Sequence, residues 1–539
     1  MPRTHATLLA ALALTVPAGA AAAPPRAGAD QLFVLSDACM ACHNGLITAR
    51  GEDISIGTDW QSSMMANSAR DPYWQAAVRR EVIDHPSARA AIEDECSICH
   101  MPMARFTAHA AGGQGEIFAH LSAAFAATPL DRLAVAGVSC TTCHQITSTN
   151  LGDRSSFVGR FDIDVEAPTG QRRVFGPFEV DAGRTTVMRS ASGFVPAQAD
   201  HVQSSELCAT CHTLYTHAFD EQGEVIGELP EQVPYLEWRH SAYRSVRGCQ
   251  SCHMPVVEGE TAISSVLGQP RSGVSRHVFR GGNFFIPRVL NRYADELAPQ
   301  AQPQELETTA RRTAQHLQQS AATIAVERVR AADGRFALEV EVANLAGHKL
   351  PTAYPSRRVW IHVELEDRNG RSLFSSGALA PDGSIAGNDN DDDPARFEPH
   401  HAEISDPGEV QIYEAIMADP DGRVTTGLLT AVRFVKDNRL LPDGFDKATA
   451  DPDVAVHGRA AGDEDFSGGR DRVRYEIALD GAEGPYRVLA ELVYQPIAFR
   501  WARNLAAYEA DEPDRFVRIY DEMSELTGIV LASDQLVVP

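Results

Sequence analysis

The chain has 539 residues, a formal net charge of −25 and 44% hydrophobic residues. This length exceeds what one ordinary hydrophobic core serves, so two or more domains are expected. The negative charge disfavours nucleic acid and anionic membrane surfaces as partners, whereas it favours solubility and would attract a basic partner protein.

Residues 1–23 are predicted to be a secretory signal peptide. Arg3 provides a positive start, residues 8–16 form a short apolar run, and small residues follow at 18–23. The apolar run is too short to span a bilayer, and no later segment of the sequence is long and apolar enough for a transmembrane helix. Because no twin-arginine pair is present, we expect export by the general secretory route to the periplasm or beyond, and a soluble mature protein.

The ten cysteines all belong to five Cys-x-x-Cys-His motifs, at residues 39–43, 96–100, 140–144, 208–212 and 249–253. This motif is the attachment signal for c-type haem. Two thiols three residues apart lie on one face of a helical turn, where they can form thioethers to the two vinyl groups, and the next histidine binds the iron. The sequence therefore predicts five covalently attached haems c.

The residues assigned to this role fall into two sets. The predicted haem-attaching residues are Cys39, Cys42, Cys96, Cys99, Cys140, Cys143, Cys208, Cys211, Cys249 and Cys252. The predicted proximal iron ligands are His43, His100, His144, His212 and His253.

Disulfides and structural zinc are the two other uses that these cysteines could have. Exported cysteines usually form disulfides, but random pairing would not place a histidine after every second cysteine. Structural zinc uses Cys-x-x-Cys units in pairs, and five is an odd number. Haem attachment accounts for all five motifs.

The motifs define a predicted pentahaem domain over residues 24–300. We expect mostly short helices and loops there, because the haems supply apolar volume and the covalent links replace much of the packing. After a Pro-containing stretch, Leu306, Ala310, Thr313 and Leu317 fall at helical spacing and predict a linker helix over 301–322.

The remaining residues, 323–539, are predicted to form an all-β domain. Apolar and polar residues alternate over 336–342, 359–365, 473–479 and 488–494, and turn signals such as Asn369-Gly370 separate such runs. The pattern predicts a β-sandwich of immunoglobulin-like type. The whole chain is thus predicted to be multidomain, with an N-terminal multihaem domain and a C-terminal sandwich.

The sixth ligand of each iron decides the function. Histidine or methionine in that position gives a low-spin haem that passes electrons, whereas an open position allows catalysis. The candidate sixth ligands are His109, His120, His201, His217, His277, His348 and Met65. The remaining histidines of the C-terminal half, His316, His362, His400, His401 and His457, are interpreted as ordinary surface or strand residues.

An acidic loop at residues 388–393 offers carboxylate and amide oxygens at short spacing. Such ligands suit calcium, although the glycine and terminal glutamate of an EF-hand are missing. A solvated acidic loop is the alternative interpretation.

The five motifs resemble those of the large bacterial family of periplasmic multihaem cytochromes c, including the cytochrome c554-like group. The resemblance includes Cys-His-Met-Pro at 99–102 and 252–255, Gly-His-Lys-Leu-Pro-Thr at 347–352 and Lys-Asp-Asn-Arg-Leu-Leu-Pro at 436–442. In several relatives a Trp-x-x-Ser-x-His stretch supplies a sixth ligand. Here that stretch begins at Trp60 and ends at Met65, which implies a His/Met or an open haem.

The resemblance implies electron transfer rather than catalysis. Nitrite-reducing relatives often carry Cys-x-x-Cys-Lys, which this sequence lacks, and hydroxylamine-oxidising and octahaem relatives carry more haems than five. We expect an electron carrier whose partners are quinol-oxidising proteins or other cytochromes. The alternatives are a reductase or oxidase of a small nitrogen or sulfur compound with one open haem, and a subunit of an extracellular cytochrome filament.

Overall fold

The structure is a computed structural model that describes residues 32–121 and 126–539. The predicted signal peptide lies outside the described residues. None of the helices within the described ranges has both the length and the apolar character that a bilayer crossing requires.

The N-terminal region consists of short helices, loops and two small sheets. Its helices are α1 (Asp37–His43), α2 (Ile56–Gln61), α3 (Pro72–Asp84), α4 (Arg89–His100), α5 (Pro102–Ala110), α6 (Pro129–Val135), α7 (Cys140–Cys143), α8 (Ala182–Ser192), α9 (Ser205–Ala209), α10 (Pro234–Arg239), α11 (Cys249–His253), α12 (Phe285–Arg292) and α13 (Ala294–Leu297). Its strands are β1 (Arg173–Gly176), β2 (Val195–Gln198), β3 (Leu214–Phe219) and β4 (Val225–Gln232). Strands β1 and β2 pair in parallel, and β3 and β4 form an antiparallel ribbon.

Local sequence explains where these short helices begin. The Asp71 carboxylate accepts the backbone N–H groups of Tyr73 and Trp74, and Pro72 occupies the first turn of α3. Helix α6 begins with a capping box between Thr128 and Asp131. Such caps satisfy the backbone donors that a short helix cannot satisfy itself.

The predicted linker helix is present as α14 (Pro303–Ser320). Gln302 and Glu305 form its capping box, and its buried face includes Leu306, Ala310 and Leu317. The spacing of these same residues predicted the helix, so the periodicity also identified correctly which face of α14 is buried.

The C-terminal region is dominated by strands. These are β5 (Ala322–Ala332), β6 (Arg335–Asn344), β7 (Arg358–Glu366), β8 (Ser372–Ser376), β9 (Glu403–Ile404), β10 (Ile412–Tyr413), β11 (Ala415–Ala418), β12 (Val424–Thr425), β13 (Arg433–Asp437), β14 (Arg470–Ala478), β15 (Tyr486–Gln495) and β16 (Ile529–Val538). Its helices after α14 are α15 (Asp389–Asp392), α16 (Phe499–Arg503) and α17 (Asp511–Met523).

Two main sheets form the C-terminal region. One has the order β5-β6-β14-β9, the other has the order β10-β7-β15-β16 with β8 beside β7, and a smaller sheet has the order β12-β11-β13. Val340 pairs with Val473 in the first sheet and Val363 pairs with Ala490 in the second, and all four are fully buried. The inner faces of both sheets share one hydrophobic core, so the alternating runs predicted the long strands correctly.

Helix α17 is absent from the all-β prediction, which is incomplete at this point. It packs against α3 of the N-terminal region, where Arg79 makes two hydrogen bonds of 2.7 and 2.9 Å to Glu512. The rings of Tyr73 and Phe516 lie 5.0 Å apart in the same interface. The two regions of the chain therefore share one hydrophobic core.

Candidate cofactor-binding cavity

The five motifs lie on or next to short helices. Helices α1, α4, α7 and α11 each contain both cysteines of a motif, and α9 contains Cys208 and ends two residues before Cys211. Where both cysteines are helical, they lie three residues apart on one helical turn, as the motif requires.

The motifs converge on an internal cavity of about 640 Å³. Cysteines and histidines of the first four motifs line it, and Gln250 and Met254 extend the lining to the fifth. Aromatic side chains, including Trp60, Phe175 and Phe178, supply much of the rest of its wall. A large, mostly apolar prosthetic group attached at these thiols fits such a lining.

Thiols of different motifs lie next to one another. The close pairs are Cys39 with Cys140, Cys99 with Cys211, and Cys208 with Cys249. In each pair the pKa of the first-named cysteine is raised. The hydrogen bond to the partner thiol contributes most to this rise, and burial contributes further. All ten cysteines lie in the described part of the chain, and no disulfide joins any two of them there.

These contacts order the motifs in space, which the sequence does not reveal. The first motif lies beside the third, and the fourth lies beside both the second and the fifth. Burial raises the pKa of Cys143 to about 12, and the nearby Cys211 contributes, which joins the third motif to the fourth. The five attachment sites thus form one connected set with the fourth at its centre.

Four of the five predicted proximal histidines are oriented by a backbone carbonyl. Their Nδ1–H groups donate to the carbonyl oxygens of Ile263 (from His43, 2.6 Å), Ser68 (from His100, 2.9 Å), Phe175 (from His144, 2.6 Å) and Arg280 (from His253, 2.6 Å). Because a carbonyl only accepts, each ring carries its proton on Nδ1, and the lone pair on Nε2 is the one available to a metal.

Burial favours the neutral form of four of the five predicted proximal imidazoles, and metal ligation requires that form. It lowers the pKa of His100 and of His253 to about 4. Burial also lowers the pKa of His144 and of His212.

Two predicted sixth ligands lie opposite proximal histidines. The ring centroids of His144 and His277 are 6.2 Å apart at an interplanar angle of 22°, and those of His253 and His348 are 6.3 Å apart at 16°. Two imidazoles that bind one metal from opposite sides, each with a metal–nitrogen distance of about 2.1 Å, have centroids roughly 6 to 6.5 Å apart. Both pairs therefore have the separation that a metal between them needs.

The hydrogen bonds of these two sixth-ligand candidates agree with that role. His277 Nδ1 lies 3.2 Å from the Ser275 carbonyl oxygen, and His348 Nδ1 lies 2.9 Å from that of Lys349. Each contact places the ring proton on Nδ1 and leaves the Nε2 lone pair for a metal. Burial lowers the pKa of His277 to about 3, and the neighbouring His144 adds to the effect.

The other histidine candidates make different contacts. His109 Nε2 lies 2.6 Å from Asp94, and His201 Nε2 lies 2.8 Å from the Ile146 carbonyl oxygen. Both residues use the nitrogen that would bind iron, so the geometry does not support them as sixth ligands. His217 is half-buried, with Nδ1 3.7 Å from Glu95, and His120 is buried with Nδ1 2.7 Å from Asp131.

Met65 lines the cavity, as does its neighbour Met64. The Met65 carbonyl oxygen accepts the Val138 backbone N–H at 2.9 Å, which ties this segment to the residue two positions before the third motif. Met65 therefore lies at the wall of the space where a prosthetic group is expected.

His316 was interpreted as an ordinary residue, and the structure places it at a motif. Its ring centroid lies 6.4 Å from that of His253 at an interplanar angle of 74°. Burial lowers its pKa to about 4. The helical spacing could have drawn attention to His316, because it follows Thr313 by three positions and therefore lies beside the buried face of α14.

Three carboxyl groups with raised pKa values line the cavity beside the second motif. They belong to Glu81, Glu95 and Glu231. Burial raises all three pKa values, that of Glu231 to about 7. No local pattern in the sequence marks these three residues, because their proximity depends on the fold.

The acidic loop at 388–393 makes contacts with arginines. Asp391 lies 2.8 Å from Arg358 in a fully buried pair, and Asp389 pairs with Arg396 at 2.5 Å. Arg500 also donates to the backbone carbonyls of Asn390 and Asp391. The calcium site stays a prediction, and these contacts favour ion pairing as the role of the loop.

A second cluster of potential metal ligands consists of His400, Asp463 and Asp471. His400 Nδ1 accepts from the side-chain amides of Gln411 (2.8 Å) and Asn438 (3.1 Å), so the ring proton is on Nε2 and points at Asp463. Both ring nitrogens of His400 are thus engaged in hydrogen bonds, and the ring has no lone pair available for a metal.

Comparison with known proteins gives one structural match. No protein-family model matches the sequence, and no curated protein matches it. The structure is similar to the crystal structure of a penta-heme cytochrome c552 from Thermochromatium tepidum, with a TM-score of 0.54 and 18% sequence identity over 94% of this chain and 100% of that chain. The chain therefore has the fold of a multihaem cytochrome c.

Proposed function

We propose that the chain binds five haems c covalently and carries electrons between redox proteins outside the cytoplasm. The observation that carries this proposal is the pairing of His144 with His277 and of His253 with His348 at separations of 6.2 and 6.3 Å. When bound, haem supplies an iron that is reversibly oxidised and reduced by one electron. Imidazoles on both sides of an iron leave it no free position for a substrate, which favours electron transfer.

The protein contributes attachment, orientation and spacing. The motif cysteines would hold each group by thioethers, and backbone carbonyls fix the ring orientation of four of the five proximal histidines. The contacts between Cys39 and Cys140, and between Cys99 and Cys211, bring neighbouring sites together. An electron that enters at one site thus has adjacent sites to move to.

The location outside the cytoplasm belongs to the same proposal. The predicted signal peptide at 1–23 supports it, and so does the need to attach haem to unpaired thiols before the cavity closes. Quinol-oxidising proteins or other cytochromes are the proposed electron donors and acceptors. The immunoglobulin-like class of the C-terminal sheets is likewise proposed from their two-layer arrangement.

A potentiometric titration of the purified protein, followed by electron paramagnetic resonance, tests this function. The proposal expects stepwise one-electron reduction of five haems, with the sites that contain His277 and His348 low-spin in the oxidised state. Haems that all remain high-spin, or that do not exchange electrons with one another, would contradict it.

A second candidate function is favoured by the three buried carboxyl groups beside the second motif. Glu81, Glu95 and Glu231 line the cavity there, and a protonated carboxyl group of raised pKa is a suitable proton donor. Reduction of a small nitrogen or sulfur compound at an open haem would use such donors. Nitrite or hydroxylamine added to the reduced protein would then oxidise it at a rate that falls in a Glu231→Gln variant.

A further inference from the structure

Four buried charged side chains form a closed network next to His348. Lys349 Nζ lies 2.7 Å from Asp437, Arg439 contacts the same carboxylate at 2.7 and 2.9 Å, and Arg439 lies 2.8 Å from Glu237. Their side chains are between 0% and 8% exposed. Two positive and two negative charges balance, so the network carries no net charge.

The network joins three parts of the chain. Glu237 is on α10, Lys349 is in the loop that follows β6, and Asp437 and Arg439 lie at the end of β13 and just after it. Glu237 also accepts the Lys349 backbone N–H at 3.1 Å and the Thr352 hydroxyl at 2.5 Å. Both ends of the loop segment 349–352 are thereby fixed to α10.

This loop and α10 each lie close in the chain to one histidine of the fifth-motif pair. His348 is the residue directly before Lys349, and His253 follows α10 on the next helix, α11. The Asn344 side-chain amide donates to the His348 carbonyl oxygen and to that of Leu440, each at 2.9 Å, which ties the loop to the segment after β13. The network therefore sets the position of one paired imidazole relative to the other.

A positioning role explains the network better than stabilisation does. Buried ion pairs rarely stabilise a fold more than apolar side chains of equal size would, but they fix geometry. Fixed geometry matters here because two histidines, His348 and His316, lie at nearly equal distances from His253. Only one of them can occupy a single axial position opposite His253.

We propose that Glu237, Lys349, Asp437 and Arg439 are positioning residues that hold His348, in preference to His316, as the sixth ligand of the haem attached at Cys249 and Cys252. This inference rests on the proposed function. It assigns a role to the segments 347–352 and 436–442, which the sequence analysis singled out without a function.

The test compares oxidised holo-proteins by electron paramagnetic resonance at low temperature. A His348→Ala variant first identifies the low-spin signal of the fifth haem, which it removes. Glu237→Gln and Lys349→Met are then expected to lose that same signal from one haem in five. The lost signal is replaced either by a high-spin signal or by a low-spin signal of different shape if His316 binds at its 74° orientation.

Asp391→Asn is the matched control, since it breaks an equally buried carboxylate–arginine pair with Arg358. It is expected to lower the melting temperature and to leave all five haem signals unchanged. If Glu237→Gln and Lys349→Met also lower the melting temperature and keep the signal that His348→Ala removes, the network is only structural and the inference is wrong.

Two milder variants keep the test decisive if those proteins do not fold. Arg439→Lys keeps the charge and loses the two-point contact, and Thr352→Val removes one hydrogen bond to Glu237. A partial loss of the fifth-haem signal in either supports the inference, and wild-type spectra in both overturn it. A failure of the proposed function is distinct, because the wild-type protein would then contain fewer than five haems.

Discussion

A single backbone carbonyl sets the chemistry of each oriented proximal histidine. The short contacts from His43, His144 and His253 to carbonyl oxygens, each 2.6 Å, leave no choice of tautomer. The motif alone predicts that a histidine follows the cysteines. It does not predict which nitrogen is free, because Ile263, Phe175 and Arg280 are distant in sequence.

At His277 we predict that replacement by alanine opens one iron. The oxidised protein should gain a high-spin signal equal to one haem in five, because His277 is the imidazole opposite His144. Electron paramagnetic resonance measures this directly. His109→Ala is the control and should leave the spectrum unchanged, since that ring is paired with Asp94 at the surface. Equal spectra for both variants would contradict the assignment.

A pH-dependent contribution to stability is predicted for Asp471. Burial raises the pKa of this carboxyl group from 3.8 to about 7, and Tyr413 and Gln411 donate to it. Below pH 3.8 both the folded and unfolded states are protonated. As the pH rises towards 7 the unfolded state loses the proton first, so stability falls, by on the order of 4 kcal/mol in total.

Calorimetry at pH 4 and at pH 8 checks this prediction. Asp471→Asn keeps the size and an acceptor oxygen and cannot ionise, so its stability should fall less than that of the wild type between these pH values. An equal fall for the wild type and the variant, or a larger fall for the variant, would mean that folding does not raise the pKa of this carboxyl group.

At the scale of elements, sequence periodicity predicted helices and strands that bury one face. The alternating runs gave β6, β7, β14 and β15, and the helical spacing gave α14. Helix α17 was missed although Phe516, Ile519, Tyr520 and Met523 lie on its buried side. Its partner α3 is more than 400 residues earlier in the chain, so no local pattern marks the contact.

The same limit applies to the candidate site. The sequence alone predicts roles for the ten cysteines and five histidines of the motifs, because the motif is local. The opposition of His348 to His253, and the approach of His316 to the same ring, depend on where the loop after β6 and helix α14 lie relative to α11. Sequence reasoning therefore proposed His348 only as one of several candidates and passed over His316.

The α3–α17 interface is predicted to contribute substantially to stability. Phe516 is fully buried and contacts Tyr73 and Tyr520. Phe516→Ala should lower the free energy of unfolding by about 3 to 5 kcal/mol, the range found for aromatic residues in cores. Leu526→Ala, at a position that is 47% exposed, is the control and should change it by about 0.5 kcal/mol or less. Calorimetric scans of the two variants make the comparison.

At the scale of the whole molecule, the arrangement of the motifs differs from their order in the chain. The fourth motif is central, with the second, third and fifth beside it, and the first is reached through the third. In such a branched set, an electron at the fourth site has three neighbouring sites to which it could move. This arrangement is a property of the fold and is not encoded in the spacing of the motifs.

The net charge of −25 predicts how the protein selects its partners. A cationic electron donor should reduce the protein rapidly at 0.01 M salt. At 0.15 M salt the rate should be lower by roughly tenfold or more, because the screening length falls from about 30 Å to about 8 Å. Stopped-flow reduction by a small cationic metal complex measures this, with a neutral donor as the control. Equal salt dependence for the two donors would contradict electrostatic selection.

The most direct test of the central claim is the mass of the intact mature chain under denaturing conditions. Five haems joined by thioethers remain attached when the protein unfolds, so the account predicts a mass that exceeds that of the polypeptide by five haem groups. A mass equal to that of the polypeptide, or one reduced only by the hydrogens lost on disulfide formation, would contradict it.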